Sequence, residues 1–157
     1  LVFTNGWRER NAAEVVKDTG APVLFHGSNL IVNSAIRQAL LAIDVPGMHM
    51  HSTVYIDDRD NWHEDYWYLT FTQLFDCWDR ATSKTSPPYS TAEHGKDYEI
   101  IVYGLNTRLL DSTPLESRLL FKMGGTATGE VFCHESIAGV FRAQAPSGAE
   151  LTLVADF

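Results

Sequence analysis

The chain has 157 residues, 45% hydrophobic and 20% charged, the length and composition of one globular domain rather than a disordered tail, a collagen or a coiled coil. Twelve basic residues against twenty acidic ones leave a net charge of -8, which repels phosphate backbones and argues against a nucleic-acid partner. No run of about 18 apolar residues is present, so a transmembrane helix is excluded and no membrane partner is expected.

Residues 1–22 read as a polar lead-in with a short helix over 9–17, ended by Gly20 and Pro22. Val23, Leu24 and Phe25 form an apolar run, the turn residues Gly27, Ser28 and Asn29 follow, and Leu30, Ile31 and Val32 form a second run. That order predicts a hairpin with a three-residue loop. Asn33 stands at an N-cap position, and Val32, Ala35, Ile36, Ala39, Leu40 and Ile43 recur at helical spacing until Pro46 and Gly47. Residues 49–56 read as a strand.

The centre of the chain is aromatic and acidic. Residues 57–65 hold Asp57, Asp58, Asp60, Glu64 and Asp65 against Arg59 alone, with Trp62 among them. Residues 66–71 are β-prone and read as a strand, Gln73 to Arg80 as a short helix or turn. Ser86, Pro87, Pro88, Ser90 and Gly95 make 84–97 an exposed, mobile loop. Residues 100–103 are a strand, and Leu105, Leu109 and Leu110 lie on a short helix before Pro114.

The opening order then returns. Leu119 to Phe121 and Val131 to Cys133 are apolar runs about a glycine-bearing turn, and His134 takes the cap position. Ile137, Val140 and Phe141 form the stripe, Pro146, Ser147 and Gly148 the stop, and Leu151, Leu153 and Val154 a closing strand. Asn33 and His134 stand 101 positions apart, as do Ile36 and Ile137. The expected fold is a single α+β domain with a mixed or antiparallel sheet of about eight strands, built from two pseudo-repeated strand-strand-helix-strand copies. The lead-in is 1–22, the first copy 23–56, the central block 57–117 and the second copy 118–157.

The candidate chemistry is that of a surface. Asp57, Asp58, Asp60, Trp62, Glu64 and Asp65 are the expected partner-binding residues, since tryptophan supplies large contact area and clustered carboxylates steer a basic protein. Asp79 is expected to accept backbone amides and organise a turn toward Ser83, a structural role for both. His49 and His51 share one face of a strand, as in a cupin-like metal site, but Tyr55 and Ile56 stand where its glutamate belongs. No nucleophile motif and no phosphate-binding loop appears, so no enzyme activity, metal or cofactor is expected; a small metal-dependent enzyme using His49 and His51, or a generic interaction domain, is the alternative. Cys77 and Cys133 are far apart and flanked by apolar residues, which reads as two buried thiols, with one disulfide as the other arrangement. The chain begins at Leu1 rather than Met, so residues upstream are expected.

The stretch 66–71, Tyr-Trp-Tyr-Leu-Thr-Phe, followed by 75–83, Phe-Asp-Cys-Trp-Asp-Arg-Ala-Thr-Ser, resembles the central block of the imm-eleven family of bacterial immunity proteins. There an aromatic and aliphatic strand runs into an aspartate with a serine four residues on, the spacing of Asp79 and Ser83. Residues 30–56 and 130–155, and the run Arg118-Leu119-Leu120-Phe121, match the flanking elements, so the resemblance covers roughly 23–157. Ala138, Gly139 and Val140 depart from the charged second helix of that family. The resemblance implies a bacterial immunity protein of a type VI secretion or polymorphic-toxin system. It would neutralise a cognate toxin or effector, such as a basic nuclease, in interbacterial competition. It would do so in the cytoplasm, or in the periplasm if an upstream signal exists.

Overall fold

The computed structural model describes residues 1–6, 20–87, 89–91, 95–144 and 149–156; the expected helix over 9–17 and the stop at 146–148 lie outside them. The fold is α+β, with mixed and antiparallel sheets. Contacts divide the chain into two compact units, one of residues 1–43, 49–70 and 140–149, the other of residues 44–48, 71–139 and 150–157.

The first unit is built on a five-stranded sheet in the order β1-β4-β5-β3-β2. Its strands are β1 (Val2–Thr4), β2 (Val23–His26), β3 (Asn29–Asn33), β4 (Met48–Ile56) and β5 (Trp62–Phe71). β1 runs parallel to β4, with Phe3 opposite Tyr55, while β3 is antiparallel to both β2 and β5. The β2–β3 hairpin closes with His26 opposite Asn29, so its loop has two residues instead of the expected three. Gly27 opens that loop at φ 59°, a conformation glycine adopts without a Cβ clash.

Helix α1 (Ser34–Leu41) follows β3 directly and packs on it. Asn33 starts it, its side chain accepting from the Ile36 amide at 3.0 Å. Ile36 and Leu40 are the buried part of the apolar stripe, and Ala35 is exposed. The helix ends at Leu41, several residues before the Pro46-Gly47 stop. Ile31, Tyr55 and Tyr66 form a second buried group, with Phe3, Leu24 and Tyr68 packed against it.

The second unit holds β6 (Leu74–Phe75), β7 (Lys84–Thr85), β8 (Tyr89–Thr91), β9 (Gly95–Asp97), β10 (Ile100–Val102), β11 (Leu120–Met123) and β12 (Val131–Cys133). These pair as β12-β11-β6, β10-β7 and β8-β9. The expected bare loop over 84–97 is thus corrected: it carries β7 and the β8–β9 hairpin. The expected helix or turn over 73–80 begins instead as β6, because Leu74 and Phe75 find parallel partners in Lys122 and Met123. Helix α2 (Thr107–Ser112) is capped by Asn106, and a 3₁₀ turn spans Leu115–Arg118. Helix α3 is Glu135–Arg142, and a 3₁₀ turn at Val154–Asp156 replaces the expected closing strand.

β11, β12 and α3 follow one another in the order expected for residues 118–157, but among the described residues the strand expected to close that stretch does not form. The core here is Cys77, Trp78, Ile100, Tyr103, Phe121 and Met123. Neither cysteine is in a disulfide; Cys77 is buried as expected, whereas Cys133 is half-buried. No helix among the described residues is long and apolar enough to cross a membrane.

Candidate partner-binding site

The acidic stretch forms the turn between β4 and β5 and the first residues of β5. A five-residue loop with three aspartates needs something to hold it, and Asp57 does so. Its Oδ1 accepts the Arg59 amide at 2.8 Å and the Asn61 amide at 2.9 Å. Its Oδ2 accepts Asn61 Nδ2 and His63 Nε2, each at 3.0 Å. Backbone bonds from Asp57 N to Asn61 O and from Asp60 N to Asp57 O close the loop. Asp60 takes φ 64°, a left-handed conformation that aspartate tolerates better than most residues.

Four donors converge on one carboxylate. The Asn61 side chain, then His63, then the two backbone amides hold the Asp57 carboxyl well below the usual aspartate range, against the opposing effect of burial. His63 is fixed in turn between two rings, with centroids 6.1 Å from both Tyr55 and Tyr66. The Tyr66 hydroxyl donates to the Ala21 carbonyl at 2.8 Å.

This arrangement corrects one expectation. Asp57 is 1% exposed, so it is withdrawn from the surface on which a partner would bind, and its charge is consumed inside the loop. Asp58 is half-buried, with Asn5 Nδ2 donating to it at 3.1 Å. Asp60, Glu64 and Asp65 are exposed, and Trp62 exposes 66% of its area. The sequence reading missed Asn61 and His63; the signal available was an aspartate with an asparagine four residues on, flanking the loop it closes.

The base of the site is tied to α1. Trp67 Nε1 donates to Ser34 Oγ at 3.1 Å, and Ser34 Oγ donates to the Asp65 carbonyl at 3.0 Å. The Arg37 guanidinium lies 3.8 Å from the Trp67 ring centroid, a cation–π contact.

Asp79 and Ser83 sit elsewhere, in the second unit. Asp79 Oδ1 accepts the Ala81 amide at 2.7 Å, and Ser83 N donates to the Asp79 carbonyl at 2.9 Å. Ser83 Oγ donates to the Gly104 carbonyl at 3.1 Å and accepts the Gly104 amide at 2.9 Å. The pair pins the 79–83 turn to the segment after β10.

His49 and His51 are exposed on β4, and His51 Nε2 bonds Thr70 Oγ1 at 2.9 Å. Among the described residues, no three His, Cys, Asp or Glu side chains are grouped so as to hold a metal ion. Burial pushes the Cys77 thiol up to about 11, so it stays protonated at neutral pH. No protein-family model and no curated protein matches the chain.

Proposed function

We propose that the protein is an immunity protein that binds a cognate antibacterial toxin or effector and covers its active or substrate-binding site, protecting the producing cell and its kin. The observation that carries this reading is the end of the β4–β5 hairpin. Asp60 in the loop and Trp62, Glu64 and Asp65 in the first residues of β5 are each exposed, and buried Asp57 holds the loop in one shape. A pre-shaped surface spends little entropy on binding, and that favours tight complexes. Carboxylates on it speed the approach of a basic protein, and the tryptophan supplies the contact area of an interface anchor. A basic cleft built for phosphate, as in a nuclease, is a surface of that kind. The resemblance of the 66–83 block supports the same reading.

The test is co-expression with the neighbouring open reading frame, followed by purification of the complex and measurement of its kinetics. The expected result is a stable complex with a toxin that kills cells lacking this protein. Trp62→Ala should weaken it about 30-fold, the size of an interface hot spot. Replacing Asp60, Glu64 and Asp65 by their amides should slow association and flatten its salt dependence. A neighbour harmless to unprotected cells overturns the reading.

A further inference from the structure

The three α-helices among the described residues begin in the same way but not with the same chemistry. Asn33 caps α1 and Asn106 caps α2, each side-chain oxygen accepting a backbone amide at 3.0 Å. At the start of α3 the cap is an imidazole: Ser136 N donates to His134 Nδ1 at 3.2 Å, and Ser136 Oγ lies 2.9 Å from the same nitrogen. His134 is held in place by its own amide, which donates to the Leu119 carbonyl at 2.8 Å, and its carbonyl accepts the Ile137 amide at 3.1 Å.

A backbone amide can only donate. The contact therefore fixes the tautomer: Nδ1 carries a lone pair and the ring proton sits on Nε2. We propose that His134 is a proton-sensitive N-cap, which holds the first turn of α3 in the neutral form and releases it when the ring is protonated. Protonation turns Nδ1 into a donor facing another donor. The Ser136 hydroxyl can rotate to accept, but the Ser136 amide cannot. It also sets a positive charge at a helix N-terminus, where the aligned peptide dipoles oppose it. An asparagine cap has no such second state.

The titratable and charged groups on the surrounding elements are Glu135 beside it, Cys133 before it on β12, Glu116 and Arg118 on the 3₁₀ turn, and Lys122 on β11. Arg118 Nε is already bonded to the Thr113 carbonyl at 3.1 Å. Glu135 is exposed at the first helical position, where its charge suits the helix dipole in either state of the ring.

The consequence is local. α3 buries Ile137, Ala138 and Phe141, and the stability of its first turn should follow the charge of one imidazole. The test is residue-resolved amide hydrogen exchange on the full chain from about pH 8 to about pH 5, the range over which histidine side chains ordinarily change charge. Corrected for intrinsic exchange, protection of the Ser136 and Ile137 amides should fall about fivefold across that range, the usual size of a helix cap. The amides of α1 should not follow.

His134→Asn should keep the protection and remove its pH dependence, whereas His134→Ala should lose it at every pH. Nitrogen NMR of the ring should find Nδ1 unprotonated at the alkaline end, and this holds as a readout if a variant fails to fold. The same pH profile in wild type and His134→Asn, or a proton on Nδ1 at about pH 8, overturns the proposal.

Discussion

Replacing Gly104 by alanine tests the bracket around Asp79 and Ser83. A Cβ at Gly104 would lie 2.1 Å from Thr82 Oγ1, 2.9 Å from Thr82 Cβ and 3.1 Å from the Thr82 carbonyl carbon. The hydroxyl can rotate away; the Cβ and the backbone carbon cannot. The 79–83 turn must therefore back off from Gly104, and three hydrogen bonds hold it there. These run from Asp79 N to Gly104 O at 2.7 Å, from Ser83 Oγ to Gly104 O at 3.1 Å, and from Gly104 N to Ser83 Oγ at 2.9 Å.

Overpacking of this kind costs about 1–3 kcal/mol. Each stretched bond adds about 0.5–1.5 kcal/mol if it is lost outright. Since the turn can yield partly, the expected total is about 3 kcal/mol, or a fall in Tm of about 6–12 °C for a chain of this size. Urea and thermal unfolding followed by circular dichroism measure it. Thr82→Gly in the Gly104→Ala background should recover more than Thr82→Ala does, because alanine keeps the clashing Cβ; a double-mutant cycle corrects for the cost of each change alone. A Gly104→Ala protein melting within about 2 °C of wild type would refute the argument, since that is less than about 1 kcal/mol.

Two more expectations follow from burial and charge. Because the Asp57 carboxyl is held below the usual range in the folded chain, its contribution is present in full above about pH 4 and is lost as pH falls further. The slope of stability against pH in that acid window should therefore be steeper in wild type than in Asp57→Asn, by up to about one proton, and equal slopes would remove Asp57 as the anchor of the loop. Leu40 is fully buried on α1, so Leu40→Ala should cost about 2–5 kcal/mol in urea denaturation, whereas a surface position would cost under about 0.5 kcal/mol.

Much of the local structure was legible in the residues. The β2–β3 hairpin, the Asn33 cap, the stripe that buries Ile36 and Leu40, and the β11–β12–α3 order all follow from period and punctuation. Each is settled by neighbours within a few positions, so the sequence alone determined it. The same holds for the Asp79 to Ser83 turn, whose bonds are short-range apart from those to Gly104.

Pairing at long range had no such signal. Leu74 and Phe75 are a strand because Lys122 and Met123 lie beside them, while Leu151 and Leu153, equally apolar, find no partner strand among the described residues. A strand is completed by its neighbour's hydrogen bonds, and those depend on where the rest of the chain goes. The same reason separates Asp57 from Asp60. Both are aspartates in one loop, and composition assigns them one role, but the closing turn of β4 into β5 carries Asp57 inward onto four donors and leaves Asp60 exposed. Net charge was fixed by the sequence; which charges face a partner was decided by the tertiary structure, because burial depends on the chain's path rather than on the residue's identity.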